Sequence, residues 1–116
     1  MAPIASPEPA GEQVLINLAA RDRLRAALLR QMEEVAVIVM PVCGITAFRH
    51  GEAPGLFKAM MPAVLANILG LPAVTVPMGL SGSGMPIGVQ LVGRPFEDEF
   101  LLDVAIRLED ARGPLT

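Results

Sequence analysis

Tryptophan and tyrosine are absent from this chain. Lysine, histidine and cysteine occur once each, and no charged side chain lies between Lys58 and Arg94. Each shortage closes off a class of function. With Cys43 alone, no disulfide forms within the chain and no cysteine-based zinc site can be assembled. A single lysine, no basic run and a formal net charge of −3 leave no phosphate-neutralising surface. Without Trp or Tyr there is also little for a base to stack on, so nucleic acid is not an expected partner. Residues 1–11, MAPIASPEPAG, have neither a basic start nor a continuous apolar core, which argues against a signal peptide. They read as a flexible Pro-rich tail ahead of an α/β segment over 12–116. A lone cysteine fits a reducing, cytoplasmic setting.

What the chain does have is apolar residues: 53% are hydrophobic and 18% charged. The mean hydropathy is +0.53. Both proportions lean toward burial. The uncharged stretch, residues 59–93, is interrupted by Pro62, Pro72, Pro77 and Pro86 and by Gly70, Gly79, Gly82, Gly84 and Gly88. It is too punctuated to span a membrane, where each exposed break leaves backbone groups unpaired. It is also too apolar for a solvent-facing layer. It reads as the inner layer of a larger protein, with part of the apolar surface meant for something outside this chain.

Periodicity sets the expected elements. Residues 12–34 read as a helix with Leu15, Leu18, Leu24, Leu28 and Met32 in one stripe, widened by Val14 and Leu29. Arg21, Arg23, Arg25 and Arg30 are expected on the opposite side, with Asp22 paired to Arg25. Residues 35–40 (VAVIVM) read as a strand covered on both faces. Residues 56–69 suit a second helix, kinked or started by Pro62 and stopped by Gly70. Residues 73–78 and 87–93 read as a hairpin around Ser81-Gly82-Ser83-Gly84, with Pro77 at an edge or strand end. Residues 97–111 form the last helix, with Phe100, Leu101, Val104, Ala105 and Leu108 inward. Glu97, Asp98 and Glu99 suit its N-terminus. The fold class is α/β: a mixed sheet covered by helices.

No catalytic constellation can be assembled from these residues. Cys43 and His50 share a loop region, but a free cysteine is more often a small buried apolar group than a nucleophile. The Ser-Gly-Ser-Gly run lacks the lysine and helix of a phosphate loop and suits a hairpin turn. No spacing of His or carboxylates suggests a metal, and no cofactor is implied.

Two runs nevertheless form a specific pattern. Residues 67–77, NILGLPAVTVP, contain Asn67, Gly70, Leu71 and Pro72. Residues 84–97, GMPIGVQLVGRPFE, contain Pro86, Gly88, Gln90, Gly93, Arg94 and Pro95. Together they closely resemble the C-terminal region of amidase-signature enzymes, a group that includes bacterial amidases, fatty-acid-amide-hydrolase-like enzymes and the amidase subunit of glutamyl-tRNA amidotransferase. The resemblance extends upstream through residues 28–34, 41–43 and 48–51 and covers roughly 20–110. It implies the C-terminal part of the amidase-signature fold and, in the complete enzyme, serine amidohydrolase chemistry through a Ser, a second Ser after a cis peptide, and a Lys. Those catalytic groups belong to the N-terminal half of family members. The serines here are Ser6, Ser81 and Ser83 and the one lysine is Lys58; none sits in a matching context, so none inherits a catalytic role. The motif residues read as scaffold: Gly70 ends a helix, Gly88 and Gly93 allow close approach, Arg94 holds carbonyls or a carboxylate, and Asn67 bonds backbone at the helix end. By position, Met60, Met61, Ala63 and Val64 would help wall a substrate pocket. The resemblance implies an inactive fragment whose partner is the N-terminal catalytic portion of an amidase. The alternative is a structural module that self-associates through an exposed half-sheet.

Overall fold

The structure, a computed structural model, describes residues 7–115. Most of the expected Pro-rich tail, residues 1–6, lies outside the described residues. The first helix opens directly at Gly11.

The elements run α1 (Gly11–Gln31), β1 (Val37–Pro41), a 3-10 segment (Ala53–Val64), α2 (Leu65–Leu69), β2 (Ala73–Leu80), β3 (Pro86–Gly93) and α3 (Asp98–Arg112). The strands form one sheet in the order β1-β3-β2. Val37 faces Gly93 and Pro41 faces Val89 across β1 and β3, while Ala73 faces Val92 across β2 and β3. Both pairings are antiparallel. The parallel character expected of a mixed sheet survives only as the common direction of β1 and β2. The hairpin return inserts β3 between them, which keeps them from being neighbours.

Alternation along β3 builds two cores. On one face Leu91 and Val76 pack with Leu101 and Ala105 of α3, flanked by Val74, Val89, Val104 and Leu108. On the other, Val92 packs with Met32, Ala66, Leu69 and Leu71, flanked by Leu28, Leu29, Ile38 and Met40. The α3 stripe is as expected except at Phe100, which is exposed. Glu97 at the N-cap and Asp98 and Glu99 in the first turn place negative charge at the positive end of the helix dipole.

Three expectations are corrected. The α1 stripe is buried only at its C-terminal end: Leu28, Leu29 and Met32 reach the core, whereas Leu15 is 69% exposed and Leu18 and Leu24 are also open. A helix of this length runs about 30 Å, well past the sheet, so its first turns meet nothing. Residues 56–69 are helical, but only Leu65–Leu69 is α; the rest is 3-10. Leu56 breaks the helical dihedrals. Pro62 has no N–H to give, and its ring crowds the carbonyl one α-turn back, so regular α-bonding begins only beyond it. Finally β1 is an edge strand, not one covered on both faces: Val39 is 63% exposed and Val35 is open.

The Gly70 stop holds. Gly70 is left-handed at φ 64° and caps α2, and the Leu71 N–H donates to the Ala66 carbonyl at 3.0 Å. The whole is flat, 51 × 41 × 18 Å, with a radius of gyration of 17.1 Å. A closed domain of this length would have about 13 Å.

Candidate functional site

The motif residues converge on the seams between elements. Gln90 is the one buried polar side chain among the described residues, 5% exposed. Its amide nitrogen donates to the Pro62 carbonyl at 3.1 Å, so the central strand holds the kinked 3-10 segment where proline disrupts regular bonding. Arg94 leaves β3 and crosses to the end of α1. Its Nε donates to the Met32 carbonyl at 2.6 Å and an Nη donates to the Glu33 carbonyl at 3.0 Å. Glu97 lies 3.9 Å from the same guanidinium. Arg94 therefore takes both of its expected partners, carbonyls and a carboxylate, and the cation sits where a helix C-terminus concentrates negative charge.

Gly93 sits where a Cβ would meet Leu101 at 3.3 Å, so its small size sets how closely α3 approaches the sheet. At Gly88 a Cβ would come within 3.0 Å of the Thr75 methyl. Pro86 opens β3, Leu71 is buried, and Pro72 and Pro95 are half-buried. Asn67 is exposed.

Two functional side chains escaped the sequence reading. Arg21 Nε donates to the Ile68 carbonyl at 2.6 Å, and Arg25 Nε donates to the Leu69 carbonyl at 2.9 Å. They cap α2 from α1 and are not on its far side. Arg25 engages backbone, and the sole ion pair among the described residues joins Arg94 to Glu97. The signal was available: Arg21, Arg25, Leu28 and Met32 stand at helical spacing on one face.

Between the loop after β1 and the hairpin lies an open cleft of about 350 Å³, lined by Val42, Cys43, Thr46, Thr75, Ile87 and Gly88 among others. Its wall is largely apolar and carries no charged side chain. Cys43 is half-buried in it, but His50 sits on an exposed turn and does not line it. The cleft therefore lacks a base for the thiol. The Ser81 and Ser83 hydroxyls lie 3.0 Å apart, and the Met85 N–H donates to Ser81 Oγ at 3.1 Å. Both serines thus build the hairpin turn. Lys58 is exposed on the 3-10 segment. Met60, Ala63 and Val64 are half-buried and Met61 is exposed on that same segment; none of the four lines the cleft. Among the described residues no cluster of His, Cys, Asp or Glu suits a metal. No helix among them is long and apolar enough to cross a membrane.

Comparison with known proteins draws these pieces together. The family model described as Amidase matches residues 5–102. The glutamyl-tRNA(Gln) amidotransferase A subunit of Parvibaculum lavamentivorans is 40% identical over 82 residues, 67% of this chain and 17% of that protein. Fatty acid amide hydrolase of Medicago truncatula is 37% identical over 102 residues, 80% of this chain and again 17% of the relative. Among solved structures, 6-aminohexanoate cyclic dimer hydrolase superposes with a TM-score of 0.80 at 25% identity, covering 90% of this chain and 25% of that one. The chain thus spans about a sixth of the length of the curated relatives it matches.

Proposed function

This chain belongs to the amidase family, and on that premise we propose that it is a C-terminal portion of a serine amidohydrolase, inactive until it docks on the catalytic portion. The reaction of the whole would be hydrolysis of a carboxylic amide C–N bond. The partner supplies the Ser, the second Ser and the Lys; the first Ser attacks the carbonyl, and the acyl-enzyme is then hydrolysed. The carrying observation is the asymmetry of coverage: relatives match most of this chain, while it matches about a sixth of them. The exposed apolar residues of α1 and β1 support the same reading, since a self-sufficient domain rarely leaves such residues uncovered together.

In this reading the chain contributes scaffold and pocket wall. Gln90 fixes the Pro62 carbonyl and thereby the segment bearing Met60, Met61, Ala63 and Val64. Those apolar side chains would wall the site against the acyl or aryl end of a substrate. The setting is cytoplasmic, in keeping with a lone, unpaired Cys43. A second reading, a module that self-associates without catalysis, draws on the same exposed apolar residues. Sedimentation velocity tests it, with a concentration-dependent dimer as its signature.

The test of the main proposal is complementation. The P. lavamentivorans protein, shortened by the segment this chain matches, is co-expressed with the chain and assayed on aliphatic and aryl amides. Activity is expected from the pair and from neither part alone. Stoichiometric turnover by the pure chain, abolished by Ser81→Ala or Ser83→Ala, would overturn it.

A further inference from the structure

The segment carrying Met60, Met61, Ala63 and Val64 cannot hold its own shape. It is 3-10 up to Val64, and Pro62 withholds one N–H from it. The α-helix that continues it, α2, is only five residues long, too short to be stable by itself. Bonds from other elements must fix it, and they fall at discrete points. The Gly44 N–H donates to the Ala59 carbonyl at 2.7 Å. Gln90 donates to the Pro62 carbonyl at 3.1 Å. Arg21 and Arg25 donate through Nε to the Ile68 and Leu69 carbonyls at 2.6 and 2.9 Å. In chain order these anchors bracket the four apolar side chains. Met60 and Met61 stand between Ala59 and Pro62, and Ala63 and Val64 stand between Pro62 and Ile68.

The anchors differ in origin. The first two belong to the sheet: Gly44 follows β1 and Gln90 lies on β3. The third belongs to α1. It takes two carbonyls at the end of α2, where no further turn of helix supplies a donor. Val64 is the N-cap of α2, so a tilt at the far end reaches the wall within five residues. Ala66 and Leu69 are buried and fix how deep α2 lies; the two guanidiniums fix where its end points.

We propose that Arg21 and Arg25 are positioning residues for substrate specificity. By holding the end of α2 they set where Ala63 and Val64 stand in the pocket wall, and so which acyl chains the assembled enzyme accepts. They touch no substrate. This role rests on the docking and the pocket wall described above, and adds the residues of α1 on which that wall depends. The substrates affected are amides whose acyl chain is long enough to reach Val64; a short acyl group is indifferent to it.

Steady-state kinetics of the co-expressed pair test this, with hexanamide and acetamide as substrates. In the double variant Arg21→Met, Arg25→Met, KM for hexanamide is expected to rise about tenfold with kcat within about twofold, while both constants for acetamide stay within about twofold. The double variant Arg21→Lys, Arg25→Lys keeps a charged donor for each carbonyl and should bring KM for hexanamide back to within about threefold of the unaltered pair. Val64→Ala, with both arginines in place, should reproduce the shift for hexanamide. Equal losses on both amides, or a fall in kcat alone, overturn the positioning role and leave the docking reading standing, because the arginines then serve the fold as a whole. A lysine pair that no longer assembles, or a Val64→Ala variant unchanged on hexanamide, overturns it in the same way. An unaltered pair that turns over neither amide overturns the docking reading and the positioning role with it.

Discussion

Helices α1 and α3 carry comparable apolar stripes and rest on opposite faces of one sheet, yet they end differently. In α3 the stripe from Leu101 to Leu108 lies against the sheet. In α1 only the last turns do so, and the first half holds Val14, Leu15, Ile16 and Leu18 open to solvent. The difference is one of supply, not of pattern. The chain supplies the cover for the Leu101–Leu108 stripe, including Gly93, whose small size lets Leu101 approach, while Phe100, Leu102 and Ile106 stay exposed on the outer side of α3. It contains the partner for only the C-terminal end of α1. A stripe records that a helix was selected for burial; it does not record whether its cover lies in the same polypeptide.

The sharpest way to break this contrast is at the α3 face. Leu91→Ala removes a fully buried side chain and should cost about 3 kcal/mol in urea-induced unfolding. Next comes the junction between the two sides. Arg94→Met deletes the charge-assisted bonds to the Met32 and Glu33 carbonyls and should cost about 1.5 to 2 kcal/mol, with α1 amides losing exchange protection before those of α3. Gln90→Leu leaves the Pro62 carbonyl unpaired in a tight place; a loss of about 1 to 2 kcal/mol is expected, with faster exchange concentrated at Met61, Ala63 and Val64. The smallest effect is the informative one. Leu15→Ser should leave the stability of the chain alone within about 0.5 kcal/mol, yet weaken assembly with the catalytic portion. Equal sensitivity of Leu15 and Leu91 in the isolated chain would remove the contrast.

These differences also explain how far the residues could be read in advance. The hairpin, the Gly70 stop and the grip of Arg94 on carbonyls followed from local chemistry: turn residues, a left-handed position, a cation beside a helix end. The roles of Arg21 and Arg25 did not, because arginines on a helix read first as its wet side. Only the tertiary approach of α2 shows them bonded to Ile68 and Leu69. The 3-10 character of Ala53–Val64 was hidden for a related reason. Its apolar periodicity suits either helix, and the choice falls to Pro62 and to Gln90 on a strand still distant in sequence. The edge position of β1 was the least legible, since an apolar run of that kind is what a covered strand also looks like. Met60, Met61, Ala63 and Val64 do not line the cleft beside the hairpin, so their place by a pocket was a reading from the resemblance and not from their own chemistry.

The latch of Arg112 onto Pro77 has a consequence for the end of α3. Arg112 stands in the last turn of the helix, and Pro77 stands where the β2 ladder shifts register. The helix therefore cannot fray from that end without giving up a charge-assisted bond. One guanidinium thus ties the close of the chain to the irregular part of the hairpin.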